Sequence, residues 1–404
     1  MDLKKSMRCQ EDVALNITKH LFSKEDYHKK NLIFSPLSLH VVLSVMAAGS
    51  AGSTLDELLS FLRFDSMDHL TTFFSQVISP VLFSEDRLCF ANGMWADESL
   101  SLSHSFKQLV ATHYKATLAS VDFKTKGDQV HHEVNSWVEK ETNGLITHLL
   151  PPSTINNLTK LVFANLLSFE GEWKHKFPAI PIKYNFHLFS GTSITAPFMK
   201  SMQKKHFISA FDDFKVVRLS YRQGGDKSRR FSMYIFLPDA KYGLLALIEK
   251  LASEPRFLKG KFPRRKVQVR DFFIPKFKIS FTFEASNVMK ELGLILPFSH
   301  RDVNFSKMVG EMNSHLDKLC VESVFHKAFI EVNEKGTVAS AATLPLALRG
   351  SRPVTSIDFV ADHPFLFLIR EDFNGTILFI GQVINPLDGA DASATPVKFR
   401  KPNI

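Results

Sequence analysis

Three cysteines, sixteen histidines and forty-one acidic residues are the raw material for chemistry in this chain of 404 residues. Their spacing assembles none of it into a familiar catalytic constellation. Cys9, Cys89 and Cys320 lie far apart with no C-x-x-C pair, which argues against a disulfide framework and against a thiolate zinc site. His131-His132-Glu133 offers ligand types, but neighbouring residues on a helix project about 100° apart, so these read as surface side chains. Gly49-Ser50-Ala51-Gly52-Ser53 lacks the spacing of a nucleophile elbow. There is no H-E-x-x-H, no Walker A loop and no G-x-G-x-x-G. The expectation is a protein that is not an enzyme and that uses no cofactor and no metal.

One stretch stands apart for the opposite reason, its lack of bulk. Glu334-Lys335-Gly336-Thr337-Val338-Ala339-Ser340-Ala341-Ala342-Thr343 runs into Leu344-Pro345-Leu346-Ala347-Leu348, then Arg349-Gly350-Ser351. Thr337, Ala339, Ala341 and Thr343 alternate and are all small, so as a strand one face would slide beneath a close neighbour. A strand of the resident core would carry Leu, Ile or Phe there. On composition alone a surface loop with weak helix is the plain reading. The rival is a mobile segment that becomes a strand later, with Arg349 presenting a guanidinium that an acidic pocket would grip.

The elements that must hold this stretch are legible in outline. Apolar spacing predicts a helix over Gln10–Leu21, a short strand at Asn31–Phe34 and an apolar buried helix over Leu37–Gly49. A helix opens at Ser53-Thr54 with an N-cap hydroxyl and an acidic first turn. Strands follow at Leu88–Trp95 and Thr117–Phe123, and a helix led by His104 lies between them. An amphipathic helix over Gln129–Thr142 is closed by Asn143-Gly144. Leu161–Trp173 reads as a central strand whose buried Asn165 must find partners. Short strands fill Phe198–Pro238, with a hairpin turn at Gln223–Ser228. Phe273–Phe281 reads as one strand, Glu284–Leu292 as a helix, and Val324–Val332 as a strand leading into the small-residue stretch. No linker or repeat divides the chain. One α+β domain is expected over residues 1–386, followed by a basic, disordered tail over 387–404.

The formal net charge is +9 and the pI about 9.3, which favours anionic partners in encounter but says nothing of fold. Arg256, Lys259, Lys261, Arg264, Arg265, Lys266 and Arg270, interleaved with Phe257 and Phe262, form a basic cluster. Its plain reading is a solvated face with inward aromatics; the functional one is a weak polyanion site. No run approaches the ~20 apolar residues of a membrane span. The N-terminus carries charge with no apolar run behind it, and the few thiols suit a reducing compartment. These features predict a soluble, monomeric, cytoplasmic protein, with nuclear entry and extracellular release left open. The sequons at Asn16, Asn157 and Asn374 matter only on secretion.

Asp358-Phe359-Val360-Ala361-Asp362-His363-Pro364-Phe365 through Arg370, followed by Gly375–Pro386, resembles the C-terminal signature of the serpins. Glu334-Lys335-Gly336-Thr337 stands upstream at the distance that family requires, and Asn31-Leu32-Ile33-Phe34-Ser35-Pro36-Leu37-Ser38 matches near the other end. The resemblance covers nearly the whole chain, and Leu348-Arg349-Gly350 looks most like the bait of plant serpins. It implies three β-sheets surrounded by about nine helices, with an exposed reactive-centre loop at about 334–354. It also implies suicide inhibition of a serine or cysteine endopeptidase, trypsin-like or Arg-preferring, through a covalent complex. The alternative is a non-inhibitory member that serves as substrate, carrier or interaction protein.

Carried over residue by residue, Arg349 and Gly350 flank the reactive bond, with Leu348 and Ser351 beside them. The family count from the hinge points one residue later, to Gly350–Ser351, but Gly350 gives a pocket no side chain to hold. Glu334 and Lys276 match the pair closing the top of the central sheet, and Gly336 the hinge glycine. Thr337, Val338, Ala339, Ser340, Ala341, Ala342 and Thr343 match the run that inserts. Ser35, Ser38, Asn165, His326 and Trp173 match residues where the sheet opens. Two positions depart from the family: Val338 replaces an acid, and Pro345 falls on the inward phase, where a proline loses a ladder donor.

Overall fold

Leu161–Phe169 is apolar on both faces apart from Asn165 and Ser168, a pattern that suits a strand covered on both sides. All nine residues are buried in the computed structural model, which describes residues 3–83, 87–152, 154–254, 256–309, 319–337 and 356–389. In chain order the first half comprises α1 (Leu3–Phe22), β1 (Leu32–Phe34), α2 (Pro36–Gly49), α3 (Gly52–Leu62), α4 (Met67–Phe73), α5 (Ser79–Phe83), β2 (Leu88–Asp97), α6 (His104–Thr112), β3 (Thr117–Val121), α7 (Phe123–Glu141), β4 (Leu161–Phe169) and β5 (Gly171–Glu172). The second half comprises β6 (Ile182–His187), β7 (Ser193–Lys200), β8 (Lys205–Ala210), β9 (Phe214–Ser220), β10 (Phe231–Pro238), α8 (Leu244–Ser253), β11 (Lys266–Pro275), β12 (Phe277–Glu284), α9 (Ala285–Glu291), β13 (Ser323–Asn333), β14 (Gly336–Thr337), β15 (Ile357–Val360), β16 (Phe365–Glu371) and β17 (Ile377–Val383).

The central sheet runs β3-β2-β4-β13-β14-β5, with β12 beside β13. Its middle is the parallel pair β4–β13, in register from Val162↔Ser323 to Ser168↔Phe329. A second assembly runs β1-β17-β16-β10-β9-β8-β11-β7-β6, with β15 also on β11. It is two sheets joined at β11: Lys266–Gln268 pair with β8, and Phe273–Pro275 with β7. That gives the α+β fold with three sheets, and nine α-helical segments are found among the described residues.

Two layers sandwich the β4–β13 seam. Beneath it lies α2, almost wholly buried, capped by Ser35, whose hydroxyl accepts from the Ser38 N–H, with Pro36 pre-set for the first turn. Above it lies α7. Its Val130, Val134 and Val138, with Ile146, Leu149 and Leu150 from the strap that follows, cover Trp95, Val162, Ala164, Leu166, Phe325 and Phe329. Asn135 pins that strap by accepting from the N–H groups of Leu149 (2.8 Å) and Leu150 (3.0 Å).

Several element boundaries differ from expectation. The single strand expected over Phe273–Phe281 is two strands in different sheets, because the chain turns a corner at Pro275-Lys276. The helix expected to open at Ser53 starts at Gly52, with Ala51 as N-cap and no side-chain cap. Thr54 instead accepts from the Asn304 N–H, and Glu57 accepts from those of Ile295 and Leu296. The amphipathic helix begins at Phe123 rather than Gln129, capped by Asp122, because a kink at Lys126 lets two helical pieces run together. Of the expected tail, Leu387–Gly389 are described, and Asn31 donates to the Asp388 carbonyl at 3.2 Å. Residues 390–404 lie outside the described residues.

Candidate functional site: a hinge above a closed seam

Val332↔Thr337 and Asn333↔Gly336 pair antiparallel, leaving Glu334-Lys335 as a two-residue turn. On its other side the same pair of residues meets β5, Gly336↔Glu172 and Thr337↔Gly171. β14 thus fills a gap between β13 and the continuation of β4, and immediately below it β4 and β13 pair directly. Glycine is required at 336 by close approach: a Cβ there would lie 1.9 Å from the Gly171 carbonyl oxygen.

The turn is held by backbone bonds from one short segment. The Trp173 N–H donates to the Lys335 carbonyl (2.8 Å), and the Phe177 N–H to that of Glu334 (2.9 Å). The Trp173 indole Nε1–H donates to the Asn333 carbonyl at 2.8 Å. The indole stacks on Tyr221 with centroids 4.6 Å apart, and the Tyr221 hydroxyl meets Thr337 Oγ1 at 2.9 Å. Thr337 is wholly buried, and burial drives the Tyr221 phenol well above its ordinary pKa. Lys276, placed by the corner between β11 and β12, forms an ion pair with Glu334.

Lower in the seam a second polar cluster crosses three strands and α2. Asn165 on β4 is in register with Asn92 on β2 and His326 on β13. His326 Nε2 accepts from the Ser35 N–H at 3.0 Å, so Nδ1 carries the proton and donates to Asn165 Oδ1 at 2.6 Å. The Ser38 hydroxyl also donates to Asn165 Oδ1, while Asn165 Nδ2 donates to the Ser38 carbonyl (3.2 Å) and to Asn92 Oδ1. Burial lowers His326 to about 3, which keeps the imidazole neutral and the tautomer fixed. The cluster ties β2, β4, β13 and the start of α2 together with buried side-chain bonds.

The residues expected at the sheet opening therefore fall into two groups. Trp173 and Lys276 sit at the top with Glu334, Gly336 and Thr337; Ser35, Ser38, Asn165 and His326 sit together in the middle. Asn92 and Tyr221 complete the groups and escaped the sequence reading. Val338, Ala339, Ser340, Ala341, Ala342, Thr343, Leu348, Arg349, Gly350 and Ser351 lie outside the described residues.

In the basic cluster, Phe257 is buried and Lys261 lies over the rings of Phe211, Phe214 and Phe257. Arg270 pairs with Asp358 and Asp271. His131 meets the Leu150 carbonyl at 2.9 Å, a structural contact to the strap. No helix among the described residues is long and apolar enough to cross a membrane.

Comparison with known proteins agrees with this arrangement. The family profile described as Serpin (serine protease inhibitor) matches residues 8–386. Serpin-ZX of Arabidopsis thaliana is 50% identical over 395 residues, covering 96% of this chain and 100% of that protein. Serpin-ZXA of Oryza sativa subsp. japonica is 50% identical over 365 residues, covering 89% and 91%. The solved native stressed conformation of Arabidopsis AtSerpin1 superposes with a TM-score of 0.86 at 48% identity, covering 96% of this chain and 99% of that one. Serpin48 of the insect Tenebrio molitor gives 0.80 at 26% identity, covering 95% and 99%. Since the family profile spans nearly the full length and relatives about half identical cover almost all of the chain, the chain belongs to the serpin family of serine protease inhibitors.

Proposed function

We propose that this protein is a suicide-substrate inhibitor of Arg-preferring serine or cysteine endopeptidases, acting as a cytoplasmic monomer. The observation that carries the reading is the placement of β14: two residues of an antiparallel strand already seated between β13 and β5, with the two strands closed together below. The protease nucleophile attacks the Arg349 carbonyl. The Arg349–Gly350 amide breaks, an amine is released on Gly350, and Arg349 is left as an acyl-enzyme. The freed segment then extends β14 downward as a new central strand.

The register of the hinge supports a definite facing for that strand. Continuing Val332↔Thr337 in steps of two sets Ala339 opposite Ile330, Ala341 opposite Ala328, Thr343 opposite His326 and Pro345 opposite Val324. Directly opposed residues share a face, so these side chains would face the α2 side, where Ile330, Ala328, His326 and Val324 are wholly buried. Small residues fit there without displacing the core, and Thr343 brings a hydroxyl to the level where His326 and Asn165 must separate. Val338, Ser340, Ala342 and Leu344 would face α7. Three unpaired thiols, Cys9, Cys89 and Cys320, suit the reducing compartment of the reading.

Mixing with trypsin tests the proposal. An SDS-stable adduct, together with release of a C-terminal fragment beginning at Gly350, is expected. Clean cleavage with no adduct would favour the non-inhibitory alternative, with Pro345 as the reason insertion stalls. A fragment beginning at Ser351 would move the specificity residue to Gly350 and change the target class.

A further inference from the structure

Trp173 belongs to a second feature, a cavity of about 250 Å³ bounded by the turn after β5, by β8, by β9 and by the start of β11. Its apolar lining is mostly aromatic: Trp173, Phe177 and Phe207, with Leu219. Its charged lining is Lys174, Lys205, Arg218, Arg230 and Lys266, with no carboxylate among the lining residues. Arg218 is engaged, with a guanidinium nitrogen 3.3 Å from Asp372 and Nε donating to Ser232. Arg230 lies over the Phe373 ring, and Lys266 over that of Phe207. Lys174 and Lys205 form no ion pair among the described residues, and the cavity lining holds no carboxylate to pair with them. Lys174, Lys205, Arg230 and Lys266 thus bring four cations to one recess with no carboxylate in its lining, which favours an anion there.

The independent observation is His206. It lines the same cavity, is only 8% exposed, and its Nε2 has no hydrogen-bond partner among the described residues. The ring is held flat on Phe272, with centroids 3.8 Å apart and planes at 14°. Buried polar atoms left without partners are rare and call for one. Burial first, with Lys266 adding to it, brings His206 down to about 4. At neutral pH the imidazole is therefore uncharged and demands a hydrogen-bond partner rather than a counter-ion.

An anion with a flat apolar body meets all three demands, with its ring on the aromatic lining and its charge on the lysine and arginine rim. A phosphate monoester is mostly the dianion near neutral pH, since its second pKa is about 6, and its oxygens can also accept from the N–H of a neutral imidazole. We infer that this cavity is a binding site for a small phosphate monoester carrying a flat, aromatic body.

Calorimetric titration of the full chain with phenyl phosphate, inorganic phosphate and phenol tests this. Phenyl phosphate is expected to bind one to one, at least about tenfold tighter than inorganic phosphate, and phenol not to bind. Lys205→Gln/Lys266→Gln should weaken phenyl phosphate about tenfold or more, whereas Arg264→Gln/Arg265→Gln, exposed cations outside the cavity, should leave it unchanged. His206→Phe keeps the stacked ring and should also weaken binding; if that variant fails to fold, the lysine pair decides. Absence of saturable binding would overturn the inference. So would equal loss in both double variants, which would mean diffuse attraction, or equal affinity for inorganic phosphate, which would mean a site for charge alone.

Discussion

The two ends of the β4–β13 seam are built on opposite plans. At the top the strands are already apart, and what holds them is compatible with a strand between them. Trp173 and Phe177 bond to the outer edge of the turn, and Tyr221 meets Thr337 from the side. In the middle the strands are paired, and Asn165 is bonded to His326, Ser38 and Asn92 at once. The top is a seat and the middle a closure. In the proposed mechanism the barrier to insertion thus lies below Thr337, and the drive to cross it comes from exchanging the single β4–β13 ladder for two ladders, one on each side of the inserted strand.

The largest expected effect tests that drive directly. Protein cleaved at Arg349–Gly350 should melt well above the intact chain, by more than about 10 °C, because a full strand of hydrogen bonds and burial is gained. Coincident melting curves would mean the native seam is already at its minimum. Next in size is Thr337→Arg, which puts a charge where the native side chain is wholly buried. Its desolvation costs several kcal/mol, so covalent-complex yield should collapse while cleavage by trypsin continues. A normal yield would remove the seat from the mechanism.

The closure is tested by Asn165→Ala. It strands the Ser38 hydroxyl and the His326 Nδ1–H in a buried site, at about 1–3 kcal/mol each, and should lower the urea midpoint accordingly. Acid titration of stability sharpens the same point. His326 sits at about 3 when folded and near 6.5 when unfolded, so its contribution is intact above 6.5 and is lost as pH falls towards 3. The slope over this window is about 1.4 kcal/mol per pH unit for each such group. His40, also fully buried and lowered to about 3, shares the window. His326→Gln should therefore lower the slope between pH 6 and 4 by about one proton; an unchanged slope would mean that His326 is charged in the fold. The smallest effect belongs to Lys276→Gln. Its ion pair with Glu334 is part-exposed on the lysine side, so its loss should shift unfolding by about 1 kcal/mol or less.

The seat and the closure were each legible in the sequence but for one residue. Small alternating residues after Gly336 imply a face that slides under a neighbour, and the chain is buried at Thr337 as that phase requires. Asn165 declared itself as one amide in an apolar run. Asn92 did not, because only the register of β2 against β4 brings the two amides together, and register is set between strands far apart in the chain. Tyr221 was hidden for the same reason, since its stack on Trp173 joins segments that local pattern cannot relate. The Phe273–Phe281 run shows the limit from the other side. Its apolar alternation is continuous, yet the chain changes sheets at Pro275-Lys276, and that corner is what delivers Lys276 to Glu334.

The two-residue turn at Glu334-Lys335 has a consequence of a different kind: it sets a reading frame. One residue added between Asn333 and Gly336 would exchange the two sets of alternate side chains. Val338, Ser340, Ala342 and Leu344 would then face the α2 side, with Leu344 taking a place meant for Thr343 or Pro345. A residue added near Arg349 shifts nothing upstream and changes only the length of the tether. The hinge should thus tolerate almost no insertion or deletion, whereas the bait end can vary in length with the fold's message still read in phase.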